Sequence, residues 1–374
     1  MATTKEYALG PAAFPRGWFV IASSQSLTRK PLALRFWGRD LALYRGESGR
    51  AILMDAYCPH MGTHLAASES AALASSGLQI EGDTIRCPYH GWRFNADGEC
   101  DDIPYLDGRC PKSARIRTYP VVEQLGCIMA WYDDNAEPPL FSAPQLPEWD
   151  QPRWIQWTLD DCGEMAVHPQ EILDNMADVR HLGPTHGAPC EIYENEFQGH
   201  YYIQRQGGYH HDYNAFLETI TWYTGPGILL SRQAFAGTQT VQFIATTPVD
   251  DGVIHAWHGL LFDAGHDTPT VKDKARAQQA QQEALNALAA DFSVWRNKRP
   301  ALKIMQVKTD GPFDKGRQWH QQFYANRPDV EGIQAAIDGV HRVTGLPAPA
   351  PDFPSFGRAG YPPAPKAFGK ARAI

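Results

Sequence analysis

The chain has 374 residues, enough for two ordinary domains, and its balance of 43% hydrophobic to 20% charged residues is that of a protein with a sizeable core. Its 34 basic and 42 acidic residues leave a net charge of -8 with no lysine- or arginine-rich block, which argues against nucleic acid as a partner. No run reaches the roughly 18 apolar residues of a membrane span, and the first residues carry neither an apolar leader nor twin arginines, so a cytoplasmic protein is expected.

Residues 16 to 57 read as short strands, Trp18 to Ala22, Leu32 to Trp37, Leu41 to Arg45 and Ala51 to Tyr57, broken by Gly38-Arg-Asp and Gly46-Glu-Ser-Gly49. That spacing predicts a small antiparallel β domain. Two loops follow, Cys58-Pro-His60-Met-Gly62-Thr-His64 and Cys87-Pro-Tyr-His90-Gly91-Trp92. With seven cysteines and no secretion signal, metal ligation is a better reading of such a pair than a disulfide framework. Each loop offers one thiolate and one imidazole, flanked by Pro and Gly that fold the backbone around a bound group. Zinc fingers instead pair Cys with Cys and His with His. The alternation fits a two-iron, two-sulfur cluster with cysteines on one iron and histidines on the other, an arrangement that raises the reduction potential. A Cys2His2 zinc site is the competing reading. Four ligands fill such a cluster, so His64 is a further imidazole beside the first loop, and Cys100, Cys110, Cys127, Cys162 and Cys190 read as inert thiols.

Further on, residues 66–77 form an Ala/Ser-rich insertion between the loops, and Asp97-Gly98 marks a hairpin turn. Val121 to Tyr132 is more strand material, and Pro138-Pro139 to Pro152 is a natural linker. In the stretch Asp174 to His186, Asp174, Asp178 and His181 are spaced to share one face of a buried helix, with Ile172, Met176 and Val179 on the opposite face. Gly183-Pro184 should stop that helix, and His186 then returns from the following turn to meet His181. Two imidazoles with nearby carboxylates fit a two-histidine, one-carboxylate iron site, against the plainer reading of a solvated polar face. Strands are expected again at Leu217 to Tyr223, Ile228 to Ala234, Thr240 to Thr246 and Ile254 to Phe262, then a long helix over Val271 to Lys298. Its apolar stripe is Leu288, Phe292 and Trp295 with Leu285 beside it. Asp291 lies between them, where a buried acid requires a cation or hydrogen bonds.

The two loops resemble the Rieske motif, and Asp174 to His186 resembles the mononuclear iron motif of the Rieske non-haem iron oxygenases. Only the first dozen residues and the C-terminal tail fall outside the likeness. It implies an α+β fold: an N-terminal antiparallel β Rieske domain with extension and linker (1–150), a C-terminal helix-grip, START-like catalytic domain with a curved antiparallel sheet (151–344), and a Pro-rich tail (345–374). It implies a [2Fe–2S] cluster on Cys58, His60, Cys87 and His90, and a mononuclear iron on His181, His186 and Asp291. The segment Asp291 to Lys298 is similar to the family's carboxylate motif. By the same resemblance Asp178 carries electrons from His90 of a neighbouring subunit to His181, with Asp174 and Asn175 in support, in a homotrimer. Trp222, Tyr223, Phe243, Trp257 and His258 become candidate pocket walls.

Three further segments resemble the branch that holds 3-ketosteroid 9α-hydroxylase oxygenases and cholesterol 7-desaturases. They are His168-Pro-Gln-Glu171, Trp257-His258-Gly259, and residues 299–325 with Asp310-Gly-Pro312, Arg317, Trp319 and Gln322-Phe-Tyr324. A large, flat, apolar substrate, dioxygen as co-substrate and monooxygenation are therefore expected. With no G-x-G-x-x-G site and no plant-type ferredoxin run, electrons must come from NAD(P)H through a separate reductase. The alternatives are an aromatic-ring hydroxylase, an O- or N-demethylase, a sterol desaturase or, from another class, a Rieske electron carrier.

Overall fold

In a computed structural model of the protein, which describes residues 2–70, 72–73, 79–188, 190–211 and 213–348, the chain divides into two compact units. One runs from Trp18 to Pro139; the other joins residues up to Gly17 with those from Leu140 onward. The first residues pack with the C-terminal unit, whereas a boundary at 150 places them with the Rieske domain. The reason is hydrogen bonding: Thr4 N donates to the Asp251 carboxylate at 2.8 Å, and Arg16 N to the Phe323 carbonyl at 2.9 Å. The 66–77 insertion and the tail from 345 lie in part outside the described residues.

The apolar runs of the first unit form β1 (Gly17–Ser23), β2 (Leu32–Phe36), β3 (Arg39–Arg45), β4 (Ala51–Asp55), β5 (Ile80–Glu81), β6 (Thr84–Arg86), β7 (Arg93–Phe94), β8 (Cys100–Asp102), β9 (Thr118–Tyr119), β10 (Val121–Gln124) and β11 (Cys127–Tyr132). They assemble as sheets β2-β3-β4-β9, β5-β6-β7-β8 and β1-β11-β10. A core of Tyr44, Ile52, Met54, Leu65, Ile85 and Phe94 takes in both loop cysteines, Cys58 and Cys87. One loop leaves the end of β4 and the other joins β6 to β7, so the same core anchors both.

The second unit carries β12 (Trp154–Ile155), β13 (Asp160–Met165), β14 (Ile192–Gln198), β15 (Tyr201–His210), β16 (Ala215–Thr224), β17 (Ile228–Phe235), β18 (Thr238–Asp250), β19 (Val253–Asp263) and β20 (Gly339–Arg342). Its sheet runs β12-β19-β18-β17-β16-β15-β14-β20, with β13 also on β19, and β14 to β19 follow one another as antiparallel neighbours. The helices are α1 (Pro169–Asp174), α2 (Leu182–His186), α3 (Val271–Asn297), α4 (Phe313–Gln321) and α5 (Val330–Ile337). Thr270 starts α3 with a capping box to Asp273, satisfying backbone donors that the first turn leaves open. Leu288, Phe292 and Trp295 then pack on Met165, Ile172, Ile254 and Ala256. Burying each such side chain contributes about 1.5–3 kcal/mol, which fixes the rotation of α3 and turns Asp291 inward with them. No helix among the described residues is long and apolar enough to cross a membrane.

The single helix expected through residues 174–181 is two short helices separated by a turn. After α1 the backbone continues in i to i−3 bonds, Asn175 to Ile172, Met176 to Leu173 and Ala177 to Asp174. The Met176 carbonyl is taken by Tyr193 Oη at 3.0 Å and Asn195 Nδ2 at 2.7 Å, with Gln204 Nε2 at 3.4 Å. Side chains of β14 and β15 thus hold the acceptor that a continuing helix would use. Gly183-Pro184 sits inside the start of α2 rather than ending a helix, since a proline in the first turn forfeits no bond. His186 is the last residue of α2, not a residue of a following turn.

Candidate metal centres and substrate cavity

The two loops of the N-terminal unit fold alike. Gly62 N donates to Cys58 O at 2.9 Å and Gly91 N to Cys87 O at 3.0 Å, while Cys58 N reaches Thr63 O and Cys87 N reaches Trp92 O. Gly62 and Gly91 hold φ of 72° and 77°, a conformation that a side chain disfavours. Both thiols are buried, and His60 and His90 stand on the more open side with ring centroids 4.7 Å apart. Trp92 stacks on His60 at 4.5 Å and is fixed by its indole N–H to Tyr105 Oη at 2.7 Å. The Cys58 thiol donates to Cys87, and this bond, with the Tyr89 and His90 backbone, holds the Cys87 thiol below the usual cysteine range despite its burial. A group already tending to thiolate suits a metal ligand. Two thiols at the buried end and two imidazoles at the open end match the donor set of a Rieske cluster. His64 is occupied elsewhere: its Nδ1 accepts from Ala66 N and Ala67 N at 3.1 and 3.0 Å.

In the C-terminal unit, ligand atoms of His181, His186 and Asp291 lie within 4.8 Å of one another. His186 Nε2 is 3.3 Å from Asp291 Oδ1, and His181 Nε2 is 4.0 Å from it. The His181 Nδ1–H donates to the Asp178 carbonyl, which directs the Nε2 lone pair towards Asp291 and His186. Two imidazoles and one carboxylate on a half-buried face fit a mononuclear iron with open positions. Asn175 Nδ2 lies 3.2 Å from His181 Nε2. Asp178 receives the backbone N–H groups of Arg180 and His181 at 3.2 and 3.3 Å, and its carboxylate is 40% exposed.

Although no single helix carries all three, Asp174 lines one small cavity together with Asp178 and His181. It closes α1 in a bidentate pair with Arg317, at 3.0 and 2.5 Å, and takes a further bond from Gln170 Nε2 at 2.9 Å. Beside it Glu171 meets Lys298, the Tyr7 hydroxyl and Ala301 N. Burial works to raise the Glu171 pKa, but these partners prevail and it lies below the usual glutamate value. This network ties the iron-side turn to α4 and to the N-terminal segment.

A cavity of ≈ 320 Å³ opens between α1, α2, α3 and the sheet, with His181, His186 and Asp291 in its wall. That volume is at the lower end of small-molecule sites. Ile172, Met176, Leu288 and Trp295 supply an apolar helical wall; β15 to β18 supply Gln204, Gln206, Thr219, Thr221, Ser231, Gln233 and Gln242. Of the expected pocket walls only Tyr223 lines it. Strand side chains alternate, so Trp222, Phe243 and Trp257 lie on the other face of the sheet, where Trp222 carries the Arg232 guanidinium and Phe243 stacks on Trp157. His258 pairs with Ile244 on the cavity side but sits behind Gln242, at 3.2 Å. Burial lowers its pKa, so it is neutral, with Nδ1–H donating to Asp160 at 2.9 Å. The polar lining is visible in the sequence as the alternation Gln204-x-Gln206, Thr219-x-Thr221 and Ser231-x-Gln233, a period of two that the flanking aromatic residues overshadow.

Residues 17–120 match the model of the Rieske [2Fe–2S] domain, and residues 130–324 match that of the 3-ketosteroid 9α-hydroxylase C-terminal domain. A probable 3-ketosteroid-9-alpha-monooxygenase oxygenase component of Rhodococcus rhodochrous is 27% identical, over 94% of this chain and 92% of the relative. A cholesterol 7-desaturase of Xenopus laevis is 28% identical over 88% and 76%. Among solved structures, NdmA of Pseudomonas putida CBB5 with caffeine superposes with a TM-score of 0.66 at 15% identity, covering 92% of this chain and 99% of its own. That likeness concerns the fold alone. With one domain model on each half, the chain belongs to the 3-ketosteroid 9α-hydroxylase family of Rieske non-haem iron oxygenases, whose cofactors are a Rieske [2Fe–2S] cluster and a mononuclear iron.

Proposed function

We propose that this chain is the terminal oxygenase component of a cytoplasmic multicomponent monooxygenase. It takes electrons from a separate NAD(P)H-dependent reductase and, with dioxygen as co-substrate, hydroxylates a neutral polycyclic, steroid-like substrate. Cys58, His60, Cys87 and His90 would hold the cluster, and His181, His186 and Asp291 the mononuclear iron. The bound metals supply electron storage and dioxygen activation. The observation that carries the reading is the convergence of two imidazoles and a carboxylate on the wall of a cavity of ≈ 320 Å³. The named activity of the Rhodococcus rhodochrous relative supports the substrate class.

The chain's own residues have three tasks in this scheme. The helical wall of Ile172, Met176, Leu288 and Trp295 excludes water and orients the carbon skeleton. The Asp178 carbonyl holds the His181 ring through Nδ1–H and leaves Nε2 for the metal, the Asn175 amide beside Nε2 giving way to it, and α3 places Asp291. The half-exposed Asp178 carboxylate is the bridge by which electrons arrive from the cluster of a neighbouring subunit, in a trimer. Desaturation is the second reading, favoured by the cholesterol 7-desaturase relative.

The test is single turnover of the chemically reduced enzyme under labelled dioxygen with 3-ketosteroids, sterols and methoxylated aromatics. A steroid product with one labelled oxygen supports the proposal. An unlabelled alkene supports desaturation instead. Formaldehyde or a hydroxylated arene overturns the substrate class, and no product from any substrate by iron-loaded enzyme favours an electron carrier.

A further inference from the structure

The floor of the cavity is unsuited to a bare hydrocarbon. Gln206, Thr219 and Gln233 are cross-strand partners on β15, β16 and β17, and all line the cavity. The next row is largely self-satisfied, with the Thr221 and Ser231 hydroxyls bonded to each other at 2.7 Å. The first row is not. Thr219 Oγ1 is buried without a partner among the described residues, in a side chain of a residue only 7% exposed. Gln206, 6% exposed, brings its amide to the cavity wall beside it.

Gln233 is held in one orientation by a relay. Neutral His258 donates to Asp160 and therefore accepts through Nε2 from the Gln242 amide N–H, at 3.2 Å. The Gln242 oxygen is then free to accept from Gln233 Nε2 at 3.0 Å, which leaves Gln233 Oε1 as an acceptor. The floor thus presents an amide, a hydroxyl and a carbonyl oxygen of set polarity. Apart from the triad, His210 is the only titratable side chain on the wall besides Tyr223 among the described residues, and no Lys, Arg or Glu lines it.

Buried polar groups without partners are costly, and a ligand that completes their hydrogen bonds recovers that cost. We propose that this floor selects a polycyclic substrate carrying two or more neutral oxygen functions, hydroxyl or keto, on the side turned to the sheet, with Gln206, Thr219 and Gln233 setting the specificity. The inference rests on the reading of this cavity as the substrate site of a polycyclic monooxygenase and narrows its substrate class. A hydroxyl donates to Gln233 Oε1, and Thr219 Oγ1 and the Gln206 amide answer either a hydroxyl or a ketone. With no Lys or Arg on the wall, the floor offers a carboxylate no permanently charged partner. Sites built to bond a substrate hydroxyl reject the analogue that lacks it far more strongly than apolar pockets reject a missing methylene.

The test uses the metal-loaded full chain and two 3-ketosteroids, one with two ring hydroxyls and its deoxy parent. Affinity is read from quenching of tryptophan fluorescence, to which Trp295 in the wall contributes, and turnover from single-cycle product. The wild type is expected to bind the dihydroxy compound roughly tenfold or more tighter than the parent. The near-isosteric Thr219→Val should reduce that ratio by about fivefold or more through weaker binding of the hydroxylated compound. Gln206→Met provides the same readout if Thr219→Val does not fold. Equal or tighter binding of the deoxy parent by the wild type, with turnover, overturns this inference and leaves the steroid monooxygenase standing. An unchanged ratio in both variants overturns it as well. Failure of either steroid to bind, with product only from a methoxyarene, removes the polycyclic reading and this inference together.

Discussion

Replacing Asp174 with alanine tests whether this residue anchors the iron-side turn or takes part in electron transfer. The carboxylate is 6% exposed, and burial outweighs Arg317 in setting its pKa above the ordinary aspartate value. Arg317, its side chain 19% exposed, would keep the Ala301 and Leu302 carbonyls and the Tyr7 ring, 5.8 Å from its guanidinium carbon, but no direct carboxylate partner. Removing one member of such a pair leaves a largely buried guanidinium uncompensated, at a cost of about 3–5 kcal/mol. With an m value of about 3 kcal/mol/M, the urea midpoint of the C-terminal unit should fall by roughly 1–1.7 M. Unfolding followed by far-UV circular dichroism and tryptophan fluorescence measures it, with mononuclear iron content and the visible spectrum of the cluster in parallel. Iron should be lost while the cluster spectrum persists, because Asp174 leads directly into Asn175, Asp178 and His181. The double variant Asp174→Leu with Arg317→Met should recover most of the stability, since both charges are then gone. A loss below about 1 kcal/mol, or a stable iron-loaded variant that merely stops accepting electrons, would refute the anchoring role.

Three other outcomes are expected. His186→Ala should remove the mononuclear iron and leave the cluster absorbance intact, and Cys87→Ser the reverse; metal analysis with visible and electron paramagnetic resonance spectra separates them. Asp178→Asn should retain both metals and the fold yet slow reoxidation of the cluster on substrate addition by two orders of magnitude or so, if a bridging carboxylate is worth about 3 kcal/mol; normal turnover would exclude the route. Burial pushes the His168 pKa down to about 4, against Asp251, so the unfolded chain binds more protons between that value and the ordinary ~6.5. Stability should therefore decline as pH falls through this window, by about 2 kcal/mol at pH 5 from this residue, and His168→Asn should flatten the decline in midpoint against pH.

The loops around Cys58 and Cys87 were legible because each is a local device: thiol, proline, imidazole and a positive-φ glycine within six residues. The buried stripe of α3 was legible for a similar reason, since one helical period places Leu288, Phe292, Trp295 and the acid between them on the same side. The turn after α1 was not. Its cause is the Met176 carbonyl captured by Tyr193 and Asn195, partners 17 and 19 residues away that periodicity does not register.

Residue identity and spacing by themselves determined the two metal-type motifs, the β-then-mixed order of the chain and the inward acid of α3, because those follow from bonds and periods a few residues long. Only tertiary structure decided that His186 ends a second helix, that Asp174 is spent on Arg317, and that the cavity meets Gln206, Thr219 and Gln233 instead of Trp222, Phe243 and Trp257. Each of these depends on which face of a strand or helix meets a distant partner, and that choice is settled by the burial and hydrogen bonding of the whole sheet and its helices together.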